Sequence, residues 1–220
     1  LKEEYGMTGI VFWDVDTQYD FIYPDGKLYV RGSDEIVQNL ERLTRYARKH
    51  GVQVIGEVDY HSFEDEEISE KPDFSSTFPP HCIAGTAGQR KIEATKPLKP
   101  LWIDFTMQGE DLEARVLSHK GEIFFRHRSL DVFSNPNVDR VLNVLKPAEI
   151  VLYGVALDYC DAYAIDGLLD RGYRVYLVTD AVKPIRKERS VDLMARWIER
   201  GVQIVTTTGV VEGIFNKDLG

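Results

Sequence analysis

The residues that could do chemistry in this sequence stand where strand-like runs give way to turns. The first is Cys160. An apolar run from Ile150 to Tyr153 reaches Gly154 and a short turn, and Cys160 then opens a helical pattern. A helix N-terminus carries partial positive charge and unpaired N–H groups, which favour a thiolate and can hold a developing oxyanion. Cys160 is therefore a candidate nucleophile, against the plainer reading of a buried, inert thiol. Asp16, which ends the strand-like run from Gly9, is its first partner. A carboxylate beside a thiol can take its proton and later return it to a leaving amine. The competing reading is a turn residue bonded to local backbone, and Asp14 would share a face with it in a regular strand.

A second group is Asp59-Tyr-His61. A carboxylate and an imidazole at i, i+2 on an extended segment project the same way. With His81 they offer oxygen and nitrogen ligands suited to Zn²⁺, Mn²⁺ or Fe²⁺. Glu64, Asp65, Glu66, Glu67 and Glu70 lie between and could add a carboxylate. An open position on such a metal would polarise a substrate ring nitrogen or orient water. The alternative is a solvated acidic loop. Arg126-His-Arg128 reads either as a cationic or proton-shuttling group over the site or as a basic edge on an acidic surface.

The elements that must position these groups follow from periodicity and punctuation. Strands are expected at 9–16, 52–58, 101–105, 122–126, 149–153, 173–178 and 202–205. Helices are expected from Ser33, as N-cap, to about His50; from Pro136 to about Leu145; from Asp161 to Arg171; and from Glu188 to Arg200. Residues 108–118 could hold a short helix opened by Glu110, Asp111 and Glu113. Gly51, Gly172 and Gly201 close the helices before them. The acidic, proline-bearing loop from Asp59 to about Gly88 is longer than an idle connection. Strands alternating with helices imply a mostly parallel sheet covered on both faces. Sites in such sheets lie beyond the carboxyl ends of the strands, where Asp16, Asp59, Arg126/His127 and the Cys160 turn all fall.

At 220 residues the chain suits one domain, 1–220, with an ordinary soluble composition of 43% hydrophobic and 29% charged residues. A net charge of -9 argues against nucleic acid or an anionic membrane as partner. No apolar run is long enough to span a bilayer. Residues 1–6 show no signal-peptide core, and Cys82 and Cys160 alone make no disulfide framework, so a cytoplasmic setting is expected.

Taken together, Asp16-Thr-Gln-Tyr-Asp-Phe21, Asp59-Tyr-His61, the segment 72–86 with its Phe-Pro-Pro-His-Cys, and Gly154-Val-Ala-Leu-Asp-Tyr-Cys160 resemble the isochorismatase-like cysteine hydrolases. The nicotinamidase/pyrazinamidase branch is the most similar. The resemblance implies an α/β/α fold with a six-stranded parallel sheet, and often a homo-oligomer. It makes Cys160 the nucleophile and Asp16 the acid/base. The N–H groups of Ala156 and Cys160 become the oxyanion hole, behind a cis Val155–Ala156 peptide. It makes Asp59, His61 and His81 ligands of a divalent metal, with Glu67 as a fourth and Glu64 and Glu70 as close rivals. Phe21, Phe78 and Tyr159 would wall the pocket. The family's third catalytic residue, a lysine, is absent from its place. His127 occupies it in an alignment through Leu130-Asp-Val-Phe133, and Arg126 in one through the strand. An arginine could only hold charge, whereas a histidine could shuttle protons.

The expected activity is hydrolysis of a small, nicotinamide-like amide through a Cys160 thioester, with release of ammonia. The alternative is a small-ligand binding protein on the same scaffold, with altered specificity or no turnover. A thiol-redox pair of Cys82 and Cys160 is a third reading.

Overall fold

The computed structural model describes residues 9–107 and 111–213. The apolar runs form strands β1 (Ile10–Val15), β2 (Gln53–Asp59), β3 (Leu101–Ile103), β4 (Ile123–His127), β5 (Glu149–Val155), β6 (Arg174–Lys183) and β7 (Gln203–Val205). They make one sheet in the order β3-β4-β2-β1-β5-β6-β7, with every neighbouring pair parallel. The sheet thus has seven strands rather than the six that the resemblance implies; β7 pairs with β6 from Gln203 to Val205 and forms the edge. No described helix is long and apolar enough to cross a membrane.

The α-helices among the described residues are α1 (Tyr19–Ile22), α2 (Val37–Lys49), α3 (Asp111–Ser118), α4 (Asn137–Leu145), α5 (Cys160–Asp170) and α6 (Lys187–Glu199), which lie between strands, and α7 (Thr207–Glu212), which follows β7. Alternation along β1 explains how both faces are covered. Phe12 meets Tyr46 of α2 at 6.1 Å between ring centroids, while Trp13 turns the other way to Phe125 and Phe133. Both β1 aromatics are fully buried. Burial of each such side chain contributes about 1.5–3 kcal/mol.

The boundaries differ from the sequence reading where side chains found other work. Ser33 does not cap α2; its hydroxyl donates to the carbonyls of Phe21 and Ile22, and a 3-10 turn over Ser33–Ile36 precedes the helix. Helix α7 follows the last expected strand, where no helix was expected, and Thr206 caps it by accepting from the Gly209 N–H. Of the short helix expected in 108–118, α3 is present from Asp111, and residues 108–110, Glu110 among them, lie outside the described residues.

From β1 the chain passes to β2, then to the outermost strand β3, turns back into β4 between β3 and β2, and crosses to the other side of β1 as β5. That reversal places a crevice at the carboxyl ends of β1 and β5. Asp16 leaves the first of these strands and the Cys160 turn leaves the second.

Candidate active site

Four adjacent strands, β4, β2, β1 and β5, deliver the site. Parallel register sets Asp59 beside His127 and Val15 beside both Glu57 and Gly154. Asp16 follows with a left-handed backbone, φ 43°, its N–H donating to the Glu57 carbonyl at 3.3 Å. Gly154 is required beside it: at φ 137° an added Cβ would stand 2.0 Å from the Val15 carbonyl oxygen. The next peptide, Val155–Ala156, is cis.

Asp16 is fully buried and its two oxygens are used differently. Oδ1 accepts from the Asp59 N–H at 3.1 Å and faces Nε2 of His127 at 3.0 Å. Oδ2 has no hydrogen-bond partner. His127 is tied at both nitrogens. Its Nδ1 lies 2.6 Å from the Ser129 carbonyl, which can only accept, and 3.1 Å from Asp59 Oδ1. Burial opposes charge on this ring, but the Asp16, Asp59 and Glu57 carboxylates hold it well above the usual histidine range. These carboxylates favour the imidazolium form against Asp16.

Of the two candidates to replace the family lysine, only His127 reaches the site. Arg126, the neighbouring residue on β4, projects to the opposite face, as alternation requires. Its guanidinium pairs with Asp104 at 3.2 Å and lies over the rings of Tyr60 and Trp102. The expectation that Arg126 serves the site is corrected on that ground.

Cys160 opens α5 and lines a pocket with Phe21, Phe78 and Tyr159. Leu28, Val30, Leu130 and Ile185 complete its apolar wall. Phe78 and Tyr159 meet edge to face at 5.7 Å. No described residue accepts from the N–H of Ala156 or Cys160. The expectation of a thiol acidified by the helix end is not met. Burial, and then the Asp16, Asp59, Glu57 and Glu67 carboxylates, push the Cys160 thiol up. It is a resting thiol that needs a base, not a standing thiolate. Cys82 points elsewhere: its sulfur faces the Gly88 carbonyl at 3.9 Å, its N–H donates to Asp20, and it does not line this pocket.

Asp59, His61, Glu67 and His81 form one buried group whose ligand atoms all lie within 4.8 Å of one another. Glu64 and Glu70, the rivals of Glu67, are exposed. His81 Nδ1 donates to the Pro79 carbonyl and His61 Nδ1 faces Asp65, so both rings turn Nε2 toward Asp59. Such outer contacts are what orient metal-binding histidines. Asp59 Oδ1 and His61 Nε2 are buried without a hydrogen bond among the described residues, so the donor set fits a divalent cation. Burial and the Asp59 charge push the Glu67 carboxyl up to about 7. Asp16, Asp59 and His127 are equally close together, but with both His127 nitrogens turned to oxygens they read as an ion triad.

Three supporting residues escaped the sequence reading. Gln18 brackets Asp59, its Nε2 donating to the Asp59 carbonyl and its Oε1 accepting from the Asp59 N–H, both at 2.8 Å. Lys91 is buried 3.0 Å from Asp14, which removes Asp14 as a rival base. Glu57 lies beneath His127, and an acidic residue inside the apolar run 52–58 was its one visible signal.

A family model, the isochorismatase domain, matches residues 10–209. The chain belongs to that family. It is 23% identical over 198 residues to the nicotinamidase/pyrazinamidase of Mycobacterium tuberculosis, covering 88% of this chain and 97% of the relative. Among solved structures it is similar to an isochorismatase family protein from Desulfovibrio vulgaris, with TM-score 0.73, 18% identity and coverage of 93% and 97%. It is also similar to the pyrazinamidase of Pyrococcus horikoshii in complex with zinc, with TM-score 0.69, 22% identity and coverage of 90% and 99%. At these identities the solved structures speak for the fold.

Proposed function

We propose that this isochorismatase-family chain is a hydrolase of C–N bonds in small amides, working through Cys160 in the manner of a nicotinamidase. The observation that carries the reading is the pocket. Cys160 and Ala156 line it together with an apolar wall, and the Asp16 carboxylate, paired with His127, is near enough to act on the thiol electrostatically. Asp16 takes the proton of the Cys160 thiol, and the sulfur bonds to the amide carbon. The oxygen of that carbon takes the negative charge and is held by the Ala156 and Cys160 N–H groups. The C–N bond breaks as Asp16 returns its proton to the departing nitrogen, which leaves as ammonia. Asp16, again a carboxylate, takes a proton from water. The hydroxide cleaves the thioester to the acid and Cys160 regains its proton.

His127 keeps its charge against Asp16 throughout, as the family's lysine ammonium would. Asp59, His61, Glu67 and His81 would hold a divalent metal, with zinc the first choice for two imidazoles and two carboxylates. When bound, it supplies a Lewis acid at the pocket wall for a ring nitrogen or a water.

The test is ammonia release from nicotinamide and from a panel of ureido and carbamoyl acids, with Cys160→Ala as control. Turnover by the natural protein and none by the variant is the expected result. Ligand-induced stabilisation without turnover of any of them, unchanged in Cys160→Ala, would instead identify a binding protein.

A further inference from the structure

The Trp13–Glu57 pair is absorbed by neither the metal group nor the pocket. Glu57 is fully buried on β2, and Trp13 is fully buried on the neighbouring β1. The Trp13 Nε1–H donates to Glu57 Oε1 at 3.0 Å. The other oxygen, Oε2, has no hydrogen-bond partner among the described residues and lies 3.8 Å from Nε2 of His127. Leaving a buried carboxyl oxygen unpaired is costly. An apolar residue would fill this strand position without that cost.

The neighbours of His127 suggest why an oxygen is kept. A lysine ammonium is a compact cation with three rotatable donors on a flexible stem. An imidazole is a plate with one donor at each end, so its direction has to be set by acceptors. The Nδ1 end is held by the Ser129 carbonyl, with Asp59 Oδ1 3.1 Å away as a charge contact only. The Nε2 end faces Asp16 Oδ1 and, beside it, Glu57 Oε2. When Asp16 accepts the thiol proton it becomes a poorer acceptor, and the Nε2–H then has a second oxygen within a small displacement. Resting on the hydrolase reading, we propose that Glu57 is a positioning residue: fixed by the Trp13 indole, it gives the His127 imidazole a second acceptor beside Asp16 and so keeps the ring aimed at that carboxylate through the proton transfers.

The experiment compares Glu57→Leu, Glu57→Gln and Trp13→Phe in the full chain. It reads kcat and KM for the best amide of the panel, and the ring proton and nitrogen signals of His127 by NMR without substrate. Glu57→Leu removes the oxygen and should lower kcat at least tenfold with KM within twofold of the natural protein, and should move the His127 signals. Glu57→Gln keeps an oxygen for Trp13 and a polar group beside His127, and should retain kcat within about threefold. Trp13→Phe frees the carboxyl group without removing it and should fall between them. It also stands in for Glu57→Leu should that variant not fold. Unchanged kcat and unchanged His127 signals in the first and third variants would overturn the proposal, as would a Gln variant as damaged as the Leu one. Should the natural protein turn over no amide, the hydrolase reading fails by itself. The His127 signals then decide: a shift in Glu57→Leu or Trp13→Phe supports the positioning role, and no shift ends it.

Discussion

Nε2 of His127 stands 3.0 Å from Oδ1 of Asp16, and both side chains are fully enclosed. The pair joins β4 to the end of β1 across β2, and places a cation where the family resemblance leads one to look for lysine. If charge at this place is what the reaction needs, His127→Lys should keep turnover within about tenfold. His127→Asn, neutral and of similar reach, should lose about 10²–10⁴-fold, the usual range for a lost acid–base group. Steady-state ammonia release checks both. Equal activity in the Asn variant and the natural protein would remove His127 from the reaction.

The Cys160 thiol offers a separate test, because the carboxylates that surround it also push it up. Alkylation by iodoacetamide should be slow at pH 7 and should climb with pH, since only the thiolate reacts. Asp16→Asn removes the charge that acts most strongly on the thiol after burial, so it should speed alkylation at pH 8. The same variant should lower turnover by about 10²-fold or more, having lost its base. Alkylation that slows in Asp16→Asn would contradict the assigned electrostatics.

The metal group predicts a composition. The natural protein should carry close to one equivalent of a divalent cation by elemental analysis, with zinc as first choice. Asp59→Asn and His81→Ala should lose most of it. Glu67→Ala should weaken retention, while Glu64→Ala and Glu70→Ala, altering exposed residues, should leave it intact. Chelation should lower the Tm, because a ligand that binds only the folded state stabilises it by mass action. Equal metal content across all five variants would place the ion elsewhere.

Much of this was legible in the sequence, for reasons that differ by residue. Asp16, Asp59 and Cys160 follow apolar runs directly, so strand ends fixed their place at one edge of the sheet. Glu67 was separable from Glu64 and Glu70 only by burial, which a loop without periodicity does not encode. The choice between His127 and Arg126 turned on one residue of register, and in a strand that decides the face. Trp13 and Glu57 were invisible as a pair because they are 44 positions apart and meet only once β1 and β2 align. The seventh strand had been visible as the run 202–205, and the family expectation of six passed over it. The direction of the Cys160 shift was missed because a helix-end argument counts one local dipole, and neither the burial of the thiol nor the carboxylates that distant parts of the chain bring near it.

Arg126, turned from the site, should matter to stability alone. Its pairing with Asp104 and its place over Tyr60 are partly exposed, so Arg126→Gln should cost only about 1 kcal/mol and leave kcat within twofold. Denaturant unfolding and ammonia release check the two halves. A large loss of kcat at unchanged stability would restore Arg126 to the site.

Asp161 follows Cys160 on α5, fully buried, with neither carboxyl oxygen hydrogen-bonded among the described residues. Burial, and then the Asp16, Asp158 and Asp14 charges, push its carboxyl well above the usual carboxylate range. Below about pH 3.9, the ordinary aspartate value, the group is protonated in both the folded and unfolded chain and its ionisation has no effect on stability. As pH rises past that point the unfolded chain releases the proton while the folded chain keeps it. The group then favours unfolding more and more, until the folded chain ionises too. Asp161→Asn abolishes this titration while keeping the shape. It should therefore raise the Tm, and by more at pH 7.5 than at pH 4.5. Thermal melts of both proteins at the two pH values test this, because every other titrating group is shared. A gain of the same size at both pH values would show that Asp161 ionises freely inside the fold.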